Sequence, residues 1–162
     1  MDELQRSPEY RRTATGAELY SEVEIHASPG RIWEILTDFS HYKEWNPFIR
    51  SIGGDLVEGG HLTAELRPPG SAGMTIRPVL LKAEHPREIR WKGHLFFSGL
   101  FDGEHVFEIL PEGTGRCRFV QREIFSGLLL PFFEGMLKGG TARGFAAMNA
   151  ALKERAEGTI PA

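Results

Sequence analysis

Between Phe48 and Phe125 the chain leaves no room for crossover helices. Short runs of strand character (FIRSI, HLTAELR, MTIRPVLLKAEH, EIRWKGHLFF, FDGEHVFEIL, RCRFVQREIF) alternate with turn signals such as GGDLVEGG, PPGSAG, Pro86-Arg87 and PEGTG. Strands joined by a few residues pair antiparallel, because a parallel pair needs a connection of about a dozen residues or more. Adding an earlier strand at Ala17–His26, where Leu19, Val23 and Ile25 share one parity and Glu22, Glu24 and His26 the other, predicts a curved antiparallel sheet of about seven strands. Pro78, inside its run, marks an edge or a bulge.

The flanking segments are helical. Ser28 can cap a helix whose first turn accepts Pro29, and Ile32, Ile35, Leu36 and Phe39 follow at helical spacing. HYKEWNPF reads as a second short helix halted at Asn46 by Pro47. From about Pro131 to Glu157, the apolar positions Phe133, Leu137, Met148, Ala151 and Leu152 predict one long helix across the sheet. Gly135, Gly139, Gly140 and Gly144 each cost that helix roughly 1 kcal/mol against alanine. Close approach to the sheet or space for a ligand offsets that cost; otherwise the first half is frayed or kinked.

At 162 residues the chain suits one core and one domain. Residues 1–16 are polar, lack the apolar stretch of a signal peptide, and read as a flexible arm with no role in the fold. The domain then runs from 17 to 157, with 158–162 as a tail. The register of the last two long strands follows from charge: Glu104 opposite Arg122 and Glu108 opposite Arg118 also bring Phe107 opposite Phe119. Phe101, His105, Phe107 and Ile109 then point inward, as do Cys117, Phe119, Gln121, Glu123 and Phe125.

This order of elements is that of the helix-grip fold, an α+β architecture. The segments IWEILTDFSHYKEWNPFI, GLFDGEHVFEILP, RFVQREIFSGLL and RGFAAMNAALKERAE resemble the polyketide cyclase/dehydrase-like branch of the START-like SRPBCC superfamily, from Leu19 to Glu157. The resemblance implies an elongated cavity between sheet and final helix, accommodating lipids, sterols, polyketides or other aromatic compounds. It does not specify an activity, because the superfamily spans lipid carriers, hormone receptors, cyclases, ring-hydroxylating oxygenase subunits and co-chaperones.

On this reading Trp45, Asn46, Trp91, Phe101, His105, Phe107, Phe119, Gln121 and Glu123 are candidate ligand contacts. His105 falls beside Gln121 and diagonal to Glu123. His105 and Glu123 are also the acid–base candidates for a cyclisation or dehydration, against the simpler reading of a satisfied core histidine. Asn46 can instead cap its helix, Trp91 can be plain core, and Trp33 packs on the sheet. Phe97-Ser98-Gly99-Leu100 and Phe125-Ser126-Gly127-Leu128 repeat one pattern at one end of the sheet. With Leu129, Leu130, Phe132 and Phe133 they form a hydrophobic mouth, a membrane- or partner-touching edge (a homodimer included), or a plug.

A net charge of -3 gives no field for nucleic acid. No run approaches the roughly 20 apolar residues of a membrane span. Six scattered histidines show no metal-ligand spacing, and no nucleotide or serine-nucleophile motif marks a cofactor or hydrolase site. The lone Cys117 reads as packing and fits a reducing cytoplasm.

Overall fold

The computed structural model describes residues 5–158. Nine strands form two antiparallel sheets. The large sheet has the order β1-β2-β9-β8-β7-β6, with β1 at Gln5–Thr13, β2 at Gly16–Ile25, β6 at Val79–Glu84, β7 at Glu88–Leu95, β8 at Phe101–Pro111 and β9 at Cys117–Ser126. The small sheet joins β3 (Ile49–Gly53), β4 (Thr63–Leu66) and β5 (Met74–Ile76). The one curved sheet expected from sequence is therefore divided. Pro78 cannot donate to a ladder, and it breaks the run MTIRPVLLKAEH into β5 and β6, one in each sheet.

Helix α1 (Pro29–Thr37) starts where expected, with Ser28 Oγ accepting the Arg31 amide at 3.2 Å. A single 3-10 turn, Phe39–His41, leads into α2 (Tyr42–Trp45). The C-terminal segment is continuous but not uniform: α3 (Leu130–Met136), a π-helical turn at Leu137–Thr141, then α4 (Ala142–Glu157). Two of its four glycines, Gly139 and Gly140, lie in the π turn. Gly144 explains itself sterically, since a Cβ there would sit 2.4 Å from Cδ2 of the buried Phe48.

The N-terminal arm is a correction. Residues 5–13 form edge strand β1, paired antiparallel to β2. Charges hold much of it: Arg11 reaches Glu18 at 2.7 Å, Arg12 reaches Glu134 at 2.6 Å, and Lys138 lies over the ring of Tyr10, its one side chain packed against the core among the described residues. An edge strand protected by cations shows no apolar alternation. Pro8 falls within the register shift between Arg6 and Glu9, where a missing N–H does no harm. Residues 1–4, the start of the expected arm, and 159–162, the body of the expected tail, lie outside the described residues.

The β8–β9 register is also corrected, by two residues. Glu104 faces Ile124, His105 faces Glu123, Phe107 faces Gln121 and Ile109 faces Phe119. A shift of two preserves parity, so the inward set is unchanged. The outward charges pair differently: Arg122 holds Glu108 at 2.9 Å and Arg90 holds Glu104 at 3.2 Å.

Candidate functional site

A cavity of about 70 Å³ lies between the large sheet, the small sheet and the C-terminal helix, open to solvent on one side. At about 10–15 Å³ per water, that is room for about five waters. Its floor is made by absence. Gly93 and Gly103 face each other across β7 and β8, on the inward parity between Trp91 and Leu95 on one strand and Phe101 and His105 on the other. Two paired glycines remove two side chains from the concave face, and a glycine inside a strand commonly marks such a close approach. Trp91, Leu95, Phe101 and Phe125 wall the floor. Leu66, Pro68, Met74 and Ile76 cover it from the small-sheet side, and Met136, Leu137 and Thr141 from the helix. The π turn thus falls where the helix meets the cavity, a placement common for such turns at functional sites.

Of the nine expected contacts, three line the cavity: Trp91, Phe101 and Glu123. His105, Phe107, Phe119 and Gln121 are buried on the same inner face but do not line the cavity. His105 is sandwiched by aromatics, stacked on Trp91 at 5.1 Å and edge-on to Phe107 and Phe145. Trp45 and Asn46 lie elsewhere. Trp45 faces a separate hollow with Arg31, Ile35, His41 and Arg155, and the Asn46 side-chain oxygen accepts the amides of Phe48 and Ile49 at 2.9 and 2.8 Å. That turn, which joins α2 to β3, is why asparagine stands there. Asn46 Nδ2 is buried without a hydrogen-bond partner among the described residues.

Beside the cavity, between the sheet and helix α4, runs a buried polar chain, of which sequence reasoning found Gln121, His105 and the Glu123 at its end. Ser21 donates to the Gln121 carbonyl at 2.8 Å, Asn149 Nδ2 donates to Ser21 Oγ at 2.9 Å, and Gln121 Nε2 donates to Asn149 Oδ1 at 2.8 Å. Each step fixes the next. Gln121 Oε1 is left as an acceptor, so His105 Nε2 at 3.2 Å donates to it. His105 Nδ1 then faces Glu123 Oε2 at 3.5 Å, a contact that attracts only with a proton between the two groups. Ser21 was legible in part, since it falls on the buried parity of β2. Asn149, a polar residue in the apolar stripe of α4, was the missed signal.

The two FSGL connections pack on each other by backbone. Leu128 N donates to Gly99 O at 3.1 Å and Leu129 N to Leu100 O at 2.8 Å. Gly127 has φ +118, and a Cβ there would lie 2.3 Å from Leu100 O. Phe101 stacks between Phe125 and Phe133. Phe96, Phe97, Leu128 and Phe132 remain 75, 64, 79 and 82% exposed around this end. The plug reading thus fits Phe125, Leu130 and Phe133, and not Phe97, Leu128 and Phe132. Cys117 is buried with its thiol on the Ala27 carbonyl, and burial, then nearby Glu112, pushes its pKa up, away from nucleophile chemistry.

The sequence profile of a family described as polyketide cyclase / dehydrase and lipid transport matches residues 16–157. The chain belongs to this family. No curated protein matches it in sequence. Among solved structures similar to this family member are the protein Ms6760 from Mycobacterium smegmatis (16% identity, TM-score 0.74, 98% of this chain and 100% of that one). The Zhui aromatase/cyclase from Streptomyces sp. R1128 is also similar (17%, TM-score 0.69, 90% and 96%). So is the di-domain ARO/CYC BexL from the BE-7585A biosynthetic pathway (13%, TM-score 0.67, 88% and 50%). At these identities the likeness establishes the helix-grip fold. Among the described residues, no helix is long and apolar enough to cross a membrane and no cluster of metal-ligating side chains occurs.

Proposed function

We propose that this family member binds a small hydrophobic or aromatic molecule, lipid- or polyketide-like, in the cavity beneath its C-terminal helix. The observation that carries the reading is the glycine-floored hollow itself. Gly93 and Gly103 vacate the concave face of a sheet whose other inward positions are filled, and apolar side chains from three layers surround the space. Family membership and the two cyclase structures support the same ligand class. Burying one aromatic ring, about 150 Å² of apolar surface, contributes about 4 kcal/mol before ordering costs. A ring seated at the floor with an apolar extension toward the mouth gains more.

The test is an NMR titration with naphthol, beside native mass spectrometry of the purified protein for a co-purifying ligand. Naphthol is expected to shift the Trp91 indole and the amides of Phe101 and Thr141, and Gly103→Val, which fills the floor, to abolish those shifts while the protein stays folded. Shifts confined to the surface, or undiminished in the variant, would overturn the reading.

A second reading, a cyclase or dehydratase, is supported by the Glu123–His105 contact. Because His105 is buried and does not line the cavity, Glu123 would exchange the proton with substrate and His105 would position and recharge it. A His105→Ala variant that turns over a true substrate normally rules this out. The exposed Phe96, Phe97, Leu128 and Phe132 support docking at the cavity's mouth, and size-exclusion mass of the purified protein separates a homodimer from a monomer.

A further inference from the structure

We infer that the cavity selects ligands by charge: it takes apolar molecules that carry a hydroxyl or an amine, and it excludes apolar carboxylates such as fatty acids. The inference rests on the binding reading above and narrows its ligand class.

Three observations carry it. First, among the described residues no lysine or arginine lines the cavity, and the ionisable lining residues are Glu123 and the exposed His94. Second, the two oxygens of Glu123 are not equivalent. Oε2 faces His105 Nδ1 at 3.5 Å, outside the cavity lining. Oε1 hangs over Gly103, 2.6 Å from where a Cβ would stand, and has no hydrogen-bond partner among the described residues. Gly103 therefore leaves the space into which this free acceptor projects, and any other residue there would push the carboxylate aside. Third, Thr141 is more than nine-tenths buried, lines the same cavity from the π turn, and its hydroxyl has no partner among the described residues.

A carboxylate acceptor and an unpaired hydroxyl inside an apolar cavity are the complement of a ligand donor. A hydroxyl or ammonium group satisfies Glu123 Oε1 and regains the hydrogen bonds it loses on leaving water. A ligand carboxylate meets the opposite situation. It sheds its water, meets no lysine or arginine among the described lining residues, and reaches the acceptor oxygen of Glu123 in a low-dielectric site. His105 does not reverse this, because it lies behind the carboxylate and the ligand reaches Glu123 first.

The experiment compares naphthol, naphthylmethylamine and naphthoate, substituted at the same ring carbon, by NMR titration at neutral pH on the wild-type protein and on Glu123→Gln. The first two probes are expected to bind wild type, naphthoate to bind at least about tenfold more weakly, and the variant to close that gap mainly by admitting naphthoate. Naphthoate binding wild type as tightly as naphthol would overturn the charge selection while leaving the cavity reading standing. A gap that persists in Glu123→Gln would overturn the role of Glu123. If none of the three probes binds, the cavity reading itself fails and the selection falls with it. Because the wild-type series alone can refute the inference, misfolding of the variant does not protect it.

Discussion

Gly144→Ala and Gly135→Ala, one amino-acid change at two places on one helical segment, are expected to shift stability in opposite directions. In an unhindered helix interior, alanine is favoured over glycine by about 0.5–1 kcal/mol. At Gly135 nothing lies within 4 Å of an added Cβ, so that gain should appear in full. At Gly144 the added atom would lie 2.4 Å from Phe48 Cδ2 and 2.8 Å from Cε2, where ordinary contact begins at 3.4 Å. The ring must retreat by about 1 Å, yet it is buried and packed against Phe145 at 5.7 Å. Overpacking of this kind costs about 1–3 kcal/mol, and the tight surroundings argue for the upper part of that range. After the helix gain is subtracted, Gly144→Ala should lose about 1–2 kcal/mol. For a chain of this size that lowers Tm by about 2–8 °C, whereas Gly135→Ala raises it by about 1–4 °C. Thermal melts followed by circular dichroism, with urea midpoints as a cross-check, decide the matter. A Gly144→Ala protein as stable as wild type would refute the close-approach account of that glycine. The displaced Phe48 also lines the cavity, so the same variant should weaken naphthol binding.

The polar chain beside the cavity predicts that Asn149→Leu, which removes the donor to Ser21 Oγ and leaves Gln121 Nε2 only the Phe145 carbonyl at 3.5 Å, costs about 1–3 kcal/mol in urea unfolding. It should also change the ¹⁵N signals of the His105 ring, and a loss under about 1 kcal/mol would mean that the chain is not tightly coupled. At high pH, burial and then the bond to Glu22 push the Tyr20 phenol up to about 12, and burial pushes Tyr42 up as well. Both groups are raised above their unfolded value near 10, so they contribute stability below about pH 10 that is lost as pH climbs through the folded values. Urea midpoints should hold steady toward about pH 10 and fall beyond it, less steeply in a Tyr20→Phe/Tyr42→Phe protein; an equally steep fall there would assign the effect to other groups.

The sequence by itself determined the order of elements from β2 to the final helix, the capped start of α1, the antiparallel pairing and the parity of β2, β8 and β9. These are local properties: a period of two, a capping serine and a short turn act over a few residues, and family resemblance extended them to the helix-grip fold. Parity also carried His105, Gln121 and Glu123 to the inner face, despite a register two residues away from the expected one. Tertiary structure alone decided the depth of each inward residue. His105 and Gln121 share Glu123's parity but do not line the cavity, because two glycines opened it further along the sheet and a helix asparagine drew Gln121 into the core. Strand β1 was likewise invisible, since its stability comes from cross-strand ion pairs and from docking on the helix rather than from an apolar pattern of its own. The site arises where three layers fail to fill one space, and such a gap depends on residues far apart in the chain that no local pattern relates.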